Sequence, residues 1–571
     1  MKKIRSYFIL IIAAAIFSGC SGLNKMKQNA DQVRYEVSPE ILETHAGEVD
    51  VTIEGTFPEK YFDEKTILEA TPVLVYDGGE TQLEKITLQG EDVQANNEVI
   101  QSSGDNFTYT SSVSYGEAMH RSELMLRLTA TRKNKSVDFE PVKLADGIIA
   151  TSTLVKTEAM PIAMADKFQR IKPDQQMADI HYLINRAYIR NEELKAEDLQ
   201  KLEDYLDTVE ASEDLEFVDL LVSAYASPDG PLDFNDKLSE DRLESARKYI
   251  IQELKKAEIG VVDEEGFIKA ETTAEDWEGF KEEVQNSNIT NKDLILRVLS
   301  MYSDPAVREQ EIRNMSEAFE ELKDDILPEL RRSKFIVNVN KIGRSDQEIL
   351  EQINSDPSVL DLEELLYAAT LTDDLDEKLK YYRIAARQHP QCMRAHNNIG
   401  YVLLKQGNVD EAKNAFEDAS EIADNDVVKN NLGFVALMNG NKDEAESYFN
   451  SMSGSTSESE YGLGTIAIMD GEYDKAVNYF GNEASYNNAL AHVLKGDLTK
   501  AKNMLDNMTM TEGGYPSYLK AIIGARMDNS NYMLENLREA VNYNADWKEF
   551  AAEDLEFANF LNDSEFTAIV E

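Results

Sequence analysis

Cysteine is nearly absent: Cys20 and Cys392 are the only two in 571 residues. Such a chain is held by buried apolar cores and not by disulfide cross-links. Tryptophan occurs twice and histidine six times, and no His-Glu-x-x-His or other metal-ligand spacing arises among them. Cationic side chains are also in deficit, with 58 Lys and Arg against 107 Asp and Glu and a formal charge of −49. A surface this anionic repels nucleic acid and acidic lipid headgroups, so no nucleic-acid partner is expected. There is no phosphate-binding P-loop, no Gly-x-Gly-x-x-Gly after a strand and no Gly-x-Ser-x-Gly. Asp424-Asn425-Asp426 and Asp373-Asp374-Leu375-Asp376 lack the glycine and distal glutamate of a calcium loop. The expectation is a non-enzymatic protein with no catalytic residue, no cofactor and no metal.

What is present begins with an address. Lys2, Lys3 and Arg5 precede an apolar run from Tyr7 to Phe17 that is too short to span a bilayer as a mature helix. Ser18-Gly19-Cys20 follows and resembles a lipoprotein signal-peptidase site, which implies that residues 1–19 are removed and that Cys20 carries the lipid. Ser21 after the cysteine implies, by the same resemblance, an outer-membrane, lipid-anchored protein facing the periplasm. Residues 20–34 read as a tether to that anchor.

Residues 35–158 read as β-structure. Val49-Asp50-Val51-Thr52-Ile53-Glu54 and Leu124-Met125-Leu126-Arg127-Leu128-Thr129 alternate in the two-residue period of a half-buried strand. Turn signals such as Asp77-Gly78-Gly79 separate several such runs, a pattern that points to an immunoglobulin-like β-sandwich.

Residues 161–343 read as an α+β domain with a helical insertion at 275–328. Its centre is Phe217 to Ile250. A strand-like run, Phe217 to Val222, meets a turn at Ser227-Pro228-Asp229-Gly230-Pro231. An amphipathic helix follows, bearing Asn235, Leu238, Ser239 and Arg242. That Asn-x-x-Leu-Ser-x-x-Arg register, with Arg331-Arg332 before a closing strand, resembles the OmpA-like peptidoglycan-associating domain. The resemblance implies that Arg242 holds a carboxylate of the wall peptide. The family's acidic partner position falls on Ser227, with Asp229 two residues away. Ser227, Asp229, Asn235 and Arg242 are therefore the candidate peptidoglycan contacts. A guanidinium binds carboxylate through two parallel hydrogen bonds, and a helix N-terminus adds unpaired N–H groups.

From residue 346 to 571 the pattern is helical and repeats. Asn397-Asn398-Ile399-Gly400 with Gly407, Ala412 and Phe416 recurs as Asn431-Leu432-Gly433 with Gly440, Ala445 and Phe449. It recurs again as Gly462-Leu463-Gly464 with Gly471, Ala476 and Phe480. Ala412, Ala445, Ala476 and Ala501 step by 33, 31 and 25 residues. This register resembles the tetratricopeptide repeat, which implies an all-α solenoid whose first helices line a concave, partner-binding groove. The resemblance places Arg394, Asn397, Tyr401, Asn430, Phe434 and Tyr461 in that groove. The chain as a whole then reads as a scaffold that tethers envelope proteins, with peptidoglycan as a second contact. The alternative is an assembly factor of a secretion, fimbrial or transport complex that does not touch the wall.

Overall fold

A computed structural model describes residues 22–314, 316–508 and 513–571. The leader and Cys20 lie outside the described residues. The chain forms two compact units, one comprising the residues up to Met164 together with 390–571, the other residues 165–389.

The first unit opens on helix α1 (Gly22–Gln28). The tether expectation fails here. Leu23 and Met26, three apart on one helix face, are each only 1% exposed and sit in the β core. Eleven strands follow: β1 (Arg34–Ser38), β2 (Ile41–His45), β3 (Glu48–Phe57), β4 (Ile67–Tyr76), β5 (Gly79–Gln82), β6 (Ile86–Gly90), β7 (Glu98–Ile100), β8 (Asp105–Ser114), β9 (Ser122–Arg132), β10 (Lys135–Asp138) and β11 (Val142–Ile149). Strand β3 lies between β1 and β8. Strands β11, β9, β4, β6 and β7 run side by side, with β5 and β10 as hairpin partners of β4 and β9. Strand β2 joins the two groups, antiparallel to β3 and parallel to β11. The region is thus one connected, β-rich sheet folded around a core, with Val49, Val51 and Ile53 pointing inward at the alternate positions read from sequence.

The second unit holds a four-stranded sheet of β12 (Ile171–His181), β13 (Leu215–Tyr225), β14 (Ile268–Thr273) and β15 (Arg332–Ile342), in the order β12-β15-β13-β14. Only β13 and β14 are parallel. Helices α2 (Glu197–Ala211) and α3 (Leu232–Lys256) bring Leu202, Leu206, Ala246 and Ile250 onto Ile180, Leu220, Val222 and Phe335. Between β14 and β15 stand α4 (Trp277–Asn286), α5 (Lys292–Met301), α6 (Pro305–Asn314) and α7 (Ser316–Glu321), around a separate core that includes Phe280, Ile295, Ile312 and Leu330. Helices α8 (Asp346–Ser355), α9 (Leu362–Ala368) and α10 (Leu375–Gln388) belong to this unit as well. This attachment reaches past the sequence division at 343/346. Its cause is local: Phe168 stacks on Tyr367 with ring centroids 4.3 Å apart, Arg170 pairs with Asp346, and Arg344 donates to both oxygens of the buried Glu364 at 2.9 Å.

The rest of the first unit is the helical array α11 (Met393–Lys405), α12 (Val409–Ile422), α13 (Asp426–Met438), α14 (Lys442–Asn450), α15 (Ser457–Met469), α16 (Tyr473–Phe480), α17 (Tyr486–Lys495), α18 (Leu498–Asp506), α19 (Tyr515–Arg526) and α20 (Ser530–Tyr543). Its glycines act as read from the repeat. A Cβ built on Gly400 would lie 2.6 Å from the Phe416 ring, and one on Gly433 would lie 2.6 Å from Phe449. The array ends in two short helices, α21 (Trp547–Glu553) and α22 (Ser564–Val570), with a 3₁₀ turn between them. Asp554 caps that turn and Asp563 caps α22, which breaks the run.

Candidate functional site

Helices α11, α13 and α17 of the array are engaged by the chain itself. Past β11 the backbone makes one 3₁₀ turn (Thr151–Leu154), and residues 155–169 then carry neither helix nor strand. An extended segment of this kind exposes a C=O at every residue and an N–H at every residue but Pro161, and buried ones need partners. Asparagine side chains of the array supply them. Lys156 N–H donates to Asn487 Oδ1 (3.0 Å) while Asn487 Nδ2 donates to Lys156 O (2.7 Å). The same two-way pairing joins Ile162 to Asn431 (2.7 and 2.9 Å) and Met164 to Asn398 (2.7 and 2.8 Å). A carboxamide has the donor and acceptor of a peptide group, so each asparagine pairs with the strap as one residue of a neighbouring strand would.

A second asparagine layer supports the first. Asn397 Nδ2 donates to Ile162 O (3.1 Å) and Asn430 Nδ2 to Met160 O (3.2 Å). Asn431 also donates to Asn397 Oδ1 (2.9 Å), which ties one repeat to the next. Five of these side chains, Asn397, Asn398, Asn430, Asn431 and Asn487, are at most 2% exposed. At the other end of the strap, Tyr486 Oη donates to Leu154 O (3.1 Å), and the Lys156 ammonium stands 4.1 Å above the Tyr515 ring.

Of the groove residues read from sequence, Asn397 and Asn430 reach the strap directly. Arg394 and Tyr401 are half-buried on α11. Phe434 is fully buried against Phe449, with centroids 5.2 Å apart, and Tyr461 lies against Phe480 at 5.5 Å. These two aromatics pack against the phenylalanines of their repeats. The sequence reading missed Asn398, Asn431 and Asn487 as ligands. The signal was the repeated Asn-Asn doublet at 397–398, 430–431 and 487–488.

The second unit brings Ser227, Asp229, Asn235 and Arg242 to one cleft of about 370 Å³, and adds Arg331. Arg242 is 1% exposed. Its Nη1 donates to Tyr225 O (2.7 Å) and its Nε to Arg186 O (3.1 Å), while its guanidinium sits 5.0 Å over the Tyr182 ring. Burial, seconded by the charge of Arg331, lowers its pKa to about 10. Asp229 is engaged through both oxygens: Ser227 Oγ donates to its Oδ1, and Arg331 pairs with its Oδ2 at 3.4 Å. Asn235 Nδ2 closes the turn by donating to Ser227 O (3.2 Å) and Gly230 O (3.1 Å). The insertion braces the same turn, where Arg313 Nη2 donates to Asp229 O (2.7 Å). The cleft is therefore lined by two guanidinium groups and one carboxylate.

Among the described residues, no cluster of three or more His, Cys, Asp or Glu side chains has the arrangement of a metal site. No helix among them is long and apolar enough to cross a membrane. Cys392 is a buried free thiol.

Comparison with known proteins finds a likeness in the helical region. Residues 374–427 match the family model of the tetratricopeptide repeat. No curated protein matches the chain. Among solved structures, a tetratricopeptide repeat protein from Parabacteroides merdae is 14% identical, over 37% of this chain and 91% of that one, with a TM-score of 0.30. The type IV pilus biogenesis factor PilW is 15% identical over 37% of this chain and 98% of its own, with a TM-score of 0.28. Pseudomonas aeruginosa PilF is 15% identical over 37% and 100%, with a TM-score of 0.29. The helical C-terminal region is thus similar to tetratricopeptide repeat proteins.

Proposed function

We propose that the protein is a non-enzymatic scaffold of a bacterial envelope, lipid-anchored at the outer membrane through Cys20 and facing the periplasm. In this reading the N-terminal region is an immunoglobulin-like sandwich and the second unit an OmpA-like module. That module takes a carboxylate of a wall peptide in the Arg242–Arg331 cleft. The tetratricopeptide array organises protein partners. The observation that carries the wall contact is the convergence of Ser227, Asp229, Asn235 and Arg242 on one cleft beside a second guanidinium. Two cationic forks around one acid leave net positive charge for an anionic ligand in an otherwise strongly acidic chain.

The test is co-sedimentation of the purified protein with isolated peptidoglycan. Arg242→Lys keeps the charge but loses the planar fork, and is expected to weaken retention at least tenfold. Retention equal to that of the parent sinks the wall contact. Anchoring is checked separately, by incorporation of labelled fatty acid that Cys20→Ser abolishes.

A second reading, an assembly factor without wall binding, is favoured by the engagement of Asp229 with Ser227 and Arg331, which leaves the acid already paired. Under it the parent protein fails to sediment with the wall, and Ser227→Asp, which restores an acid at the turn, confers affinity.

A further inference from the structure

The strap is bonded as a ligand is bonded. Its backbone is read at residues 156, 160, 162 and 164 by side-chain amides that belong to three different helices, α11, α13 and α17, and Thr465 Oγ1 of α15 supports Asn487 (3.1 Å). None of the asparagine contacts involves a strap side chain. A groove built this way selects extended backbone with free N–H groups, and it places few demands on sequence.

We propose that this groove is a receptor for extended main chain whose resident occupant is residues 154–164, and that an extended segment of a partner protein enters only by displacing the resident. Linkage gives the consequence a size. A tethered occupant is present at an effective concentration on the order of millimolar, so against a micromolar intrinsic Kd it weakens a competitor by about a thousandfold. The resident strap thus keeps the groove closed to casual peptides and leaves it available to a partner that brings additional contacts elsewhere.

The experiment uses the full chain and a synthetic peptide of residues 152–166, labelled for fluorescence anisotropy. Three proteins are compared: the parent, a variant with residues 155–164 replaced by a Gly/Ser segment of equal length, and the gentler pair Ile162→Pro with Met164→Pro. The prolines delete the N–H donors to Asn431 and Asn398 without touching the array. The expected result is micromolar binding to at least one altered protein and binding about a thousandfold weaker, or undetectable, to the parent. A peptide N-methylated at the Ile162 and Met164 amides is expected to lose the binding. The proposal is overturned if a folded altered protein binds no better than the parent, or if N-methylation changes nothing. It is equally overturned if both altered proteins unfold and excess peptide fails to restore them, because the strap would then be core and not ligand.

Discussion

Asn431→Ala tests the strap most directly. The substitution removes one acceptor of the Ile162 N–H (2.7 Å), one donor to Ile162 O (2.9 Å) and the donor to Asn397 Oδ1 (2.9 Å). Ile162 O keeps Asn397 Nδ2 at 3.1 Å, so the carbonyl is not orphaned. The N–H is. A donor left unpaired away from water costs about 1–3 kcal/mol, and each ordinary hydrogen bond lost adds about 1 kcal/mol. The expected destabilisation of the first unit is therefore about 2–4 kcal/mol. Asn430→Ala, which gives up a single strap contact at 3.2 Å, is expected to cost about 1 kcal/mol. Denaturant unfolding of both variants gives the ranking. Amide hydrogen exchange gives the location, since protection should fall at Ile162 first and most in Asn431→Ala. Equal cost for the two variants, or unchanged exchange at Ile162, would refute the view that these amides hold the strap through its backbone.

Three further outcomes follow from the packing and the titrating groups. Gly433→Ala puts a methyl 2.6 Å from the Phe449 ring and is expected to cost about 1–3 kcal/mol, with partial rescue by Phe449→Leu in a double-mutant cycle. Leu23→Ala is expected to cost about 2–5 kcal/mol in thermal or denaturant unfolding, where a residue in a mobile tether would cost nothing. Asp554 is buried, accepts from Tyr518 Oη at 2.7 Å, and has its pKa pushed up to about 7, first by burial and then by the charge of Glu556. A carboxyl that holds its proton more tightly when folded stabilises the fold fully at low pH, and that contribution is lost as pH rises from about 4 to about 7. The loss is on the order of 4 kcal/mol, so Asp554→Asn should gain on the parent between pH 5 and pH 8. Parallel stability curves for the two proteins across that range would contradict it.

The helical repeat was legible because its evidence is local. Glycine, alanine and phenylalanine recur in register, and each makes a contact within its own helix pair, as Gly400 does with Phe416. The β-rich region was legible for the same reason, since the alternation at Val49, Val51 and Ile53 depends only on neighbours in the chain. The boundaries were less so. Residues 22–28 look polar enough to be a tether, and only the β core that receives Leu23 and Met26 makes them a helix. The first helices beyond residue 343 continue the helical pattern, yet Arg344, Arg170 and Phe168 bind them to the α+β unit.

The sites divide along the same line. Residue types and spacings alone determined that Ser227, Asp229, Asn235 and Arg242 stand around one strand–turn–helix, because β13, the turn and α3 are consecutive in the chain. Only the tertiary structure decided that Arg331, about a hundred residues later, completes the cleft, since β15 is inserted between β12 and β13. Only the tertiary structure decided, too, what lies in the groove. Asn431 and Ile162 are 269 residues apart, and a carboxamide shows nothing in sequence to mark a distant peptide group as its partner.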